Sequence, residues 1–550
     1  MYCDKANVNT LTALLMAHGV RDAIVCPGSR NAPIVHNLNL CPDIHCYPVT
    51  DERSAGFYAL GLAEATARPV VVCVTSGSAL LNVLPAVAEA YYRHVPVVVI
   101  SADRPKEWID QLDGQTLPQE GALGRFVRKA VSLPEWDTDG SERATTQHWF
   151  CNRIINETLS AAMSDGGGPV HINVPLTPPL YDFTIPELPN ERVIKRKSTT
   201  VADLTALNEA IERASRPIIV IGQTHEGEIS EDAIFRLAQQ HIVVLQEALS
   251  GNILEWPIDR MMETIKDDDS YLPDFILYMG DTIVSQGLKA FLRRAQHAAC
   301  WRVDAAGAMQ DTFQNLSGSI KAAPRQVLEG INAEADKDWF EKWQTLSRKT
   351  TAKVTNFYPA YSSIDAVRIF EDTIVDKDCA VHYANSMSVR LGCLYAHHFI
   401  HCNRGVNGIE GSLSTAAGYS LSTKKPVYCV IGDLSFFYDQ NALWNTNLRG
   451  NLRILLLNNG GGGIFQKFDA LQKSVADSNN VMALHLTSAQ GICMENHVEY
   501  HCATNEIELH QGIIALTAAY SHNPILLEVI TDTEQDWVNY RKYFQHKIKE

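Results

Sequence analysis

The sequence predicts an α/β protein of three domains, each a central parallel sheet flanked by helices. Three observations predict it. Short runs of Val, Ile and Leu recur along the whole chain and stop at Gly, Asp, Asn or Ser. Runs of this kind suit strands covered on both faces, as in parallel sheets lying between helix layers. With 550 residues the chain is also too long for one hydrophobic core. Finally, two stretches break the alternation of strands and helical patterns: "TPPLYDFTIPELPNERVIKRKSTT" (177–200), rich in proline and charge, and "TNFYPAYSS" (355–363). They divide the chain into domains over 1–185, 200–345 and 355–550.

In chain order, the first third supplies strands in "DAIVCPGS" (22–29), "PVVVCVTSGS" (69–78), "VPVVVISADRP" (95–105) and "PVHINVPL" (169–176). The middle third supplies "RPIIVIGQ" (216–223), "HIVVLQE" (241–247), "DFILYMGD" (274–281) and "CWRVDAAG" (300–307), and closes on an amphipathic helix carrying Trp339 and Trp343. The last third supplies "CAVHYANS" (379–386), "PVYCVIGD" (426–433), "LRILLLNN" (452–459) and "PILLEVI" (524–530).

Charge and composition exclude several classes. A net charge of -16 argues against a nucleic-acid or anionic-membrane partner, because phosphate binding draws on basic excess. No apolar run approaches the length of a bilayer span, and the opening residues lack a basic-then-apolar leader, so a cytoplasmic protein is expected. The 13 cysteines are scattered singly and read as reduced, mostly buried thiols. "CPDIHC" (41–46) and "AHHFIHC" (396–402) lack the second ligand pair that a zinc site needs.

In open parallel sheets, ligands bind beyond the carboxyl ends of the strands. Unusual residues gather there in the first third ("PGSRNAP", "TSGSALLN", "SADRP") and the last ("ANSMSVR", "NRGVNGIEGSLSTAAG", "GDLS", "NNGGGGIF"), while the middle third ends its strands blandly. Asp433 and Asn459 stand one strand–helix–strand unit apart. If their strands are neighbours, both side-chain oxygens face one crevice. A carboxylate, an amide oxygen and a carbonyl exposed by the glycine loop at Gly461 make half an octahedral shell. Such a shell suits Mg²⁺ (or Mn²⁺), with phosphate oxygens and water completing it. Gly432 allows close approach of a diphosphate, and a helix expected to begin near Ser435 offers its N-terminus.

This Gly-Asp to Asn-Asn arrangement resembles the motif of thiamine-diphosphate-dependent enzymes of the decarboxylase type. "PGSR", "TDERSAGFYALGLA", "VTSGSALLNVLPAVAEA", "SADRP", "NSMSVR", "NRGVNGIEGSLSTAAG" and "GDLSFFYDQNAL" resemble, more closely, the carboligase branch of menaquinone biosynthesis. That branch shares Leu434 where most relatives carry glycine. The resemblance spans essentially the whole chain. It implies a thiamine-diphosphate-binding fold with a Rossmann-like central domain, the pyrimidine-binding domain first and the diphosphate-binding domain last.

The resemblance also implies roles. Glu52, expected to close a strand, would hydrogen-bond the pyrimidine N1′ of thiamine diphosphate and favour its imino tautomer. Ile409, Gly432, Asp433, Leu434, Ser435, Asn459 and Ile464 would complete the cofactor site, with Asp433, Asn459 and Gly461 on the metal. Four arginines, Arg30, Arg104, Arg390 and Arg404, suit polycarboxylate substrates through bidentate guanidinium contacts. The substrates implied are 2-oxoglutarate, which is decarboxylated, and isochorismate, which accepts the succinyl unit by 1,4-addition. Arg390, Arg404 and Ser386 would hold 2-oxoglutarate, and Arg30, Arg104, Ser29 and Gln115 would face isochorismate. Phe465 would join Ile409 and Ile464 in an apolar wall. Because Glu52 and Asp433 come from different subunits in the family, a homodimer or dimer of dimers with interfacial active sites is implied.

The chain departs from the pattern at Gly114, where relatives carry a polar residue, and at Gln286-Gly287, where some present a Lys-Arg pair. Lys289, Arg293 and Arg294 lie beyond it, so no central-domain substrate residue is assigned. The rival readings are an acetolactate-synthase-like carboligase or 2-oxoacid decarboxylase, a catalytically silent cofactor-binding protein, and a nicotinamide dehydrogenase. The last is disfavoured because the central third lacks a GxGxxG fingerprint.

Overall fold

The structure, a computed structural model, describes residues 1–196, 202–467, 474, 476 and 480–546. Its strands form three sheets, parallel throughout. In the first, β1 (Asp22–Val25), β2 (His45–Pro48), β3 (Val70–Val74), β4 (Val97–Asp103), β5 (Ala130–Ser132) and β6 (Val170–Pro175) lie in the order β2-β1-β3-β4-β6-β5. The second has β7 (Pro217–Ile221), β8 (Val243–Gln246), β9 (Phe275–Met279), β10 (Ala299–Val303) and β11 (Leu316–Ile320) in the order β11-β10-β9-β7-β8. The third has β12 (Ala380–Tyr383), β13 (Val427–Gly432), β14 (Leu452–Asn458), β15 (Glu499–Ala503) and β16 (Ile525–Ile530) in the order β12-β13-β14-β16-β15.

The central strands are the apolar runs read from the sequence, and β3, β4, β7, β9 and β14 are buried along their whole length. The sequence reading missed β2, β5, β11 and β15. Each is an edge strand with partly exposed residues, such as "HCYP" and "LSGSI". An edge strand pairs on one side only and needs no continuous apolar run, so its sequence carries little signal. Residues 177–196 hold no helix or strand; Ile185 makes an isolated bridge to Tyr2.

Two local expectations are corrected. Glu52 does not close a strand; it opens the helix Glu52–Thr66. Asp51 caps that helix by accepting the Arg53 and Ser54 N–H groups at 2.9 and 3.2 Å, so "TDERS" is an N-cap signature. The helix placed near Ser435 begins at Asp433 itself.

The helix Glu52–Thr66 joins the first and third sheets by lying against the helix Ser412–Ser420 at backbone contact. A Cβ on Gly61 would stand 1.9 Å from the Thr415 carbonyl oxygen, and one on Gly418 would stand 2.2 Å from that of Tyr58. Only glycine fits either position. The side chains around this pair belong to a single buried cluster that runs from β3 to β14. The second sheet meets the third through the Gln223 amide, which donates to the Cys402 carbonyl at 2.7 Å, and through the Ile400 N–H, which donates to Ala248 at 3.1 Å. Among the described residues no helix is long and apolar enough to cross a membrane.

Candidate active site

Strands β13 and β14 pair in parallel with Gly432 beside Leu457, so their carboxyl ends lie side by side. Asp433 is buried there. Its Oδ1 accepts the Leu434 N–H at 2.6 Å and its Oδ2 accepts the Gly461 N–H at 2.9 Å, which ties the two strand ends together. The glycine loop can make that approach because Gly460 and Gly461 take φ of 77° and 159°. Burial raises the Asp433 pKa, against the opposing pull of these N–H groups and of His485. His485 accepts the Thr487 N–H on Nδ1 at 3.1 Å and brings Nε2 to 3.3 Å from Asp433 Oδ2.

Asn459 commits its amide nitrogen to Asp536 at 3.0 Å, so its oxygen is the group left for a ligand. Asp536 escaped the sequence reading. It also accepts the Ser363 N–H and hydroxyl at 2.8 and 2.6 Å and the Thr531 hydroxyl at 2.9 Å. It therefore fixes Asn459 by a part-buried carboxylate that accepts three further bonds from Ser363 and Thr531. Nothing in "TDTEQDW" singles Asp536 out as anything but an ordinary helical acid.

These groups open into a cavity of about 380 Å³, a size suited to a small-molecule site. Gly432, Asp433, Leu434, Ser435, Asn459 and Gly461 line its polar end. Ile409, Ile464 and Phe465 line it with Met387 and Leu391, and Ser386 stands at the start of the helix Met387–Tyr395 with φ 72°. The Ser435 hydroxyl donates to the Ile409 carbonyl, tying wall to floor. A carboxylate, an amide oxygen and a helix N-terminus at one end and an apolar wall at the other form a donor set that fits a diphosphate cofactor with a divalent cation.

Two of the arginines adjoin residues that line this cavity without lining it themselves: Arg404 bonds Asn385, and Arg390 precedes Leu391. Arg404 is buried and donates from Nη1 to Asn385 Oδ1 at 3.1 Å. Arg390 lies inside the helix Met387–Tyr395 rather than at a strand end, and its Nη1 stands 3.4 Å from the Val284 carbonyl. The Nε of each is buried without a hydrogen-bond partner. Lys289, from the helix Gln286–Arg294 of the middle third, lies close enough that burial first, and then the charges of Arg404 and Arg390, lower its pKa. The sequence reading left Lys289 unassigned because its motif does not align; its position became visible only when the second and third sheets were brought together.

The other candidates gather at the carboxyl ends of β1, β3 and β4. Arg30 is buried, donates to the Leu176 carbonyl at 2.8 Å, and has its pKa lowered by burial and by neighbouring Arg104. Arg104 pairs with Asp113 at 2.9 Å and donates to the Gly114 carbonyl at 2.9 and 3.1 Å. Gln115 (φ 57°) runs close over Gly77, and Ser29 and Gln115 are exposed. Glu52, half-buried, accepts the Asn82 amide at 3.3 Å. Neither Glu52 nor this arginine group lines the Asp433 cavity. A single chain thus presents two separate half-sites.

Residues 8–123 match the thiamine pyrophosphate enzyme N-terminal TPP binding domain. The chain is 40% identical to the 2-succinyl-5-enolpyruvyl-6-hydroxy-3-cyclohexene-1-carboxylate synthase of Bacteroides thetaiotaomicron, over all of both chains. It is 42% identical to the synthase of the same name from Phocaeicola vulgatus, over all of this chain and 99% of that one. A third, from Desulfotalea psychrophila, is 33% identical over 97% of this chain and 99% of its own.

Proposed function

The chain belongs to the 2-succinyl-5-enolpyruvyl-6-hydroxy-3-cyclohexene-1-carboxylate synthase family, and from that membership we propose how its residues share the reaction. It is a thiamine-diphosphate-dependent transferase of menaquinone biosynthesis. It decarboxylates 2-oxoglutarate and adds the succinyl unit to isochorismate with release of CO₂. Bound thiamine diphosphate supplies the electron sink that lets a 2-oxoacid lose CO₂.

The protein's own groups position and protect. Asp433, Asn459 and the Gly461 carbonyl would hold Mg²⁺ or Mn²⁺, which would neutralise charge on a bound diphosphate. Ile409, Ile464 and Phe465 keep water from the reacting end. Arg390 and Arg404, with Lys289 beside them, hold the carboxylate of 2-oxoglutarate that survives decarboxylation; their unpartnered buried N–H groups support this. Arg30, Arg104, Ser29 and Gln115 face isochorismate. Glu52, from a second copy of the chain in a homodimer or dimer of dimers, holds the proton at the pyrimidine ring; the separation of the two half-sites within one chain supports the interfacial arrangement.

The observation that carries this reading is the Asp433–Gly461–Asn459 floor at paired strand ends, opening into a cavity with an apolar wall. Purified protein given 2-oxoglutarate, isochorismate, thiamine diphosphate and Mg²⁺ should release CO₂ and form the adduct, and adduct formation should require every component. Carboligation from pyruvate alone at a comparable rate would replace this reading with the acetolactate-synthase-like one.

A further inference from the structure

A chain of buried polar side chains lies under the carboxyl edge of the first sheet, and none of its members has a role above. Strands β4, β6 and β5 place Ser101, Asn173 and Ser132 in register across one row. Ser101, Asp103, Gln119, His171 and Asn173 are all buried. Their hydrogen bonds run in fixed directions. Gln119 Oε1 accepts the Gly77 N–H at 2.7 Å, while its Nε2 donates to the Ala102 carbonyl at 3.0 Å and to Asn173 Oδ1 at 2.8 Å. Asn173 Oδ1 also receives the Ser101 hydroxyl at 2.8 Å, leaving Ser101 Oγ to accept from His171 Nε2 at 2.7 Å. Burial keeps that imidazole neutral by lowering its pKa to about 4. Asn173 Nδ2 donates to Asp103 Oδ2 at 2.8 Å, and Asp103 Oδ1 receives the Arg104 N–H at 2.8 Å.

The network thereby grips residues 104–119 at both ends, through Asp103 before Arg104 and through Gln119 after Gln115. Between the grips the segment has one short 3-10 turn, Lys106–Trp108, and left-handed backbone at Asp110, Leu112 and Gln115. Such a segment has few backbone bonds of its own to set its path. The same Gln119 side chain holds Gly77, over which Gln115 runs. Within this network, Asp103 holds the Arg104 N–H and Gln119 holds the Gly77 N–H, so two of its bonds act on the segment that carries Arg104 and Gln115 and on the turn beneath it, while His171 Nδ1 has no partner.

We propose that Gln119 and Asn173 are positioning residues for the acceptor half of the reaction, clamping the 104–119 segment so that Arg104 and Gln115 are presented to isochorismate. This rests on the reading that Arg104 and Gln115 face that substrate.

The test uses the holoenzyme and reads three quantities: the KM for isochorismate, its pH profile, and single-turnover CO₂ release from 2-oxoglutarate without acceptor. Gln119→Met keeps the length and loses the bonds. It should raise the isochorismate KM about tenfold or more and leave CO₂ release within about twofold. Asn173→Asp puts a second carboxylate against Asp103, whose charged neighbours are Arg30 and Arg104. The two carboxyls can share a proton at low pH and must repel at high pH. The KM of this variant should therefore be near normal at low pH and climb with pH relative to the parent. Equal loss in both steps, or a pH profile parallel to the parent's, overturns the proposal. If Arg104→Ala raises the isochorismate KM while Gln119→Met does not, positioning fails and the reading of Arg104 stands. If Arg104→Ala leaves the KM unchanged, that reading fails and the proposal falls with it.

Discussion

Asp433 is the residue on which cofactor anchoring turns. Its carboxylate is the one anionic protein group proposed for the cation, so Asp433→Ala should abolish Mg²⁺-dependent binding of thiamine diphosphate in calorimetric titration. Unchanged Mg²⁺-dependent affinity would remove the metal assignment. Asp536 acts one step further out. Asp536→Ala strands the Asn459 amide, the Ser363 N–H and two hydroxyls, each formerly bonded to one part-buried carboxylate. A cost of about 1–3 kcal/mol in stability is expected, since a buried donor left unsatisfied carries its full desolvation penalty, together with weaker cofactor binding. Asp433 and Asn459 were legible in the sequence because each ends an apolar strand beside glycine. Asp536 was not: it lies in a helix 77 residues from Asn459, and a helical acid looks the same whether solvated or buried.

The helices Glu52–Thr66 and Ser412–Ser420 depend on two missing side chains. Gly61→Ala would push a methyl group into the Thr415 carbonyl, forcing the helices apart. Overpacking of this kind costs about 1–3 kcal/mol, visible as a lowered midpoint in thermal unfolding; an unchanged midpoint would mean the helices can separate freely. The end of β8 carries a different device. Glu247, just past the strand, is buried and accepts the Val284 and Ser285 N–H groups at 2.6 Å each. Burial, and then neighbouring Asp259, push its pKa from 4.5 up to about 7. Between these values the folded state holds a proton that the unfolded state has released. Stability from this group is therefore fully present below about pH 4.5 and is lost as pH rises through about 7. Glu247→Gln should remove that loss. The stability difference between variant and parent should shift in the variant's favour across the window, by at most about 1.4 kcal/mol per pH unit. Denaturant unfolding at a series of pH values measures it, and a constant difference would contradict the assignment. The strand itself was legible as "HIVVLQE"; the burial of Glu247 just past it was not, because Glu after a strand is ordinarily solvated.

The chain as a whole carries two half-sites that do not meet within it. If they meet across a dimer, Glu52→Gln and Asp433→Ala proteins, each inactive alone, should regain activity when mixed and allowed to exchange subunits. One of the two sites in a mixed dimer is then intact, giving about a quarter of the parent rate at equal mixing. No recovery despite demonstrated exchange would place each site within one chain. The arginines divide along the same line. Arg390→Ala should slow CO₂ release from 2-oxoglutarate, by about tenfold to over a hundredfold for a lost charge-assisted bond. Arg30→Ala should spare that step and slow consumption of isochorismate. Equal damage to both steps by both variants would end the division of labour.

The sequence by itself determined the three parallel sheets and the residues at their carboxyl ends. Buried strands must be apolar along their length, and the turn that follows must present polar groups and glycine, so both features are written locally. The tertiary structure alone decided that Asp536 orients Asn459, that Lys289 lies near Arg390 and Arg404, and that Gln119 bonds Asn173 beneath the first sheet. Each of these depends on bonds or charges between residues far apart in the chain. A polar side chain's partner across such a gap is set by packing, and no local pattern records it.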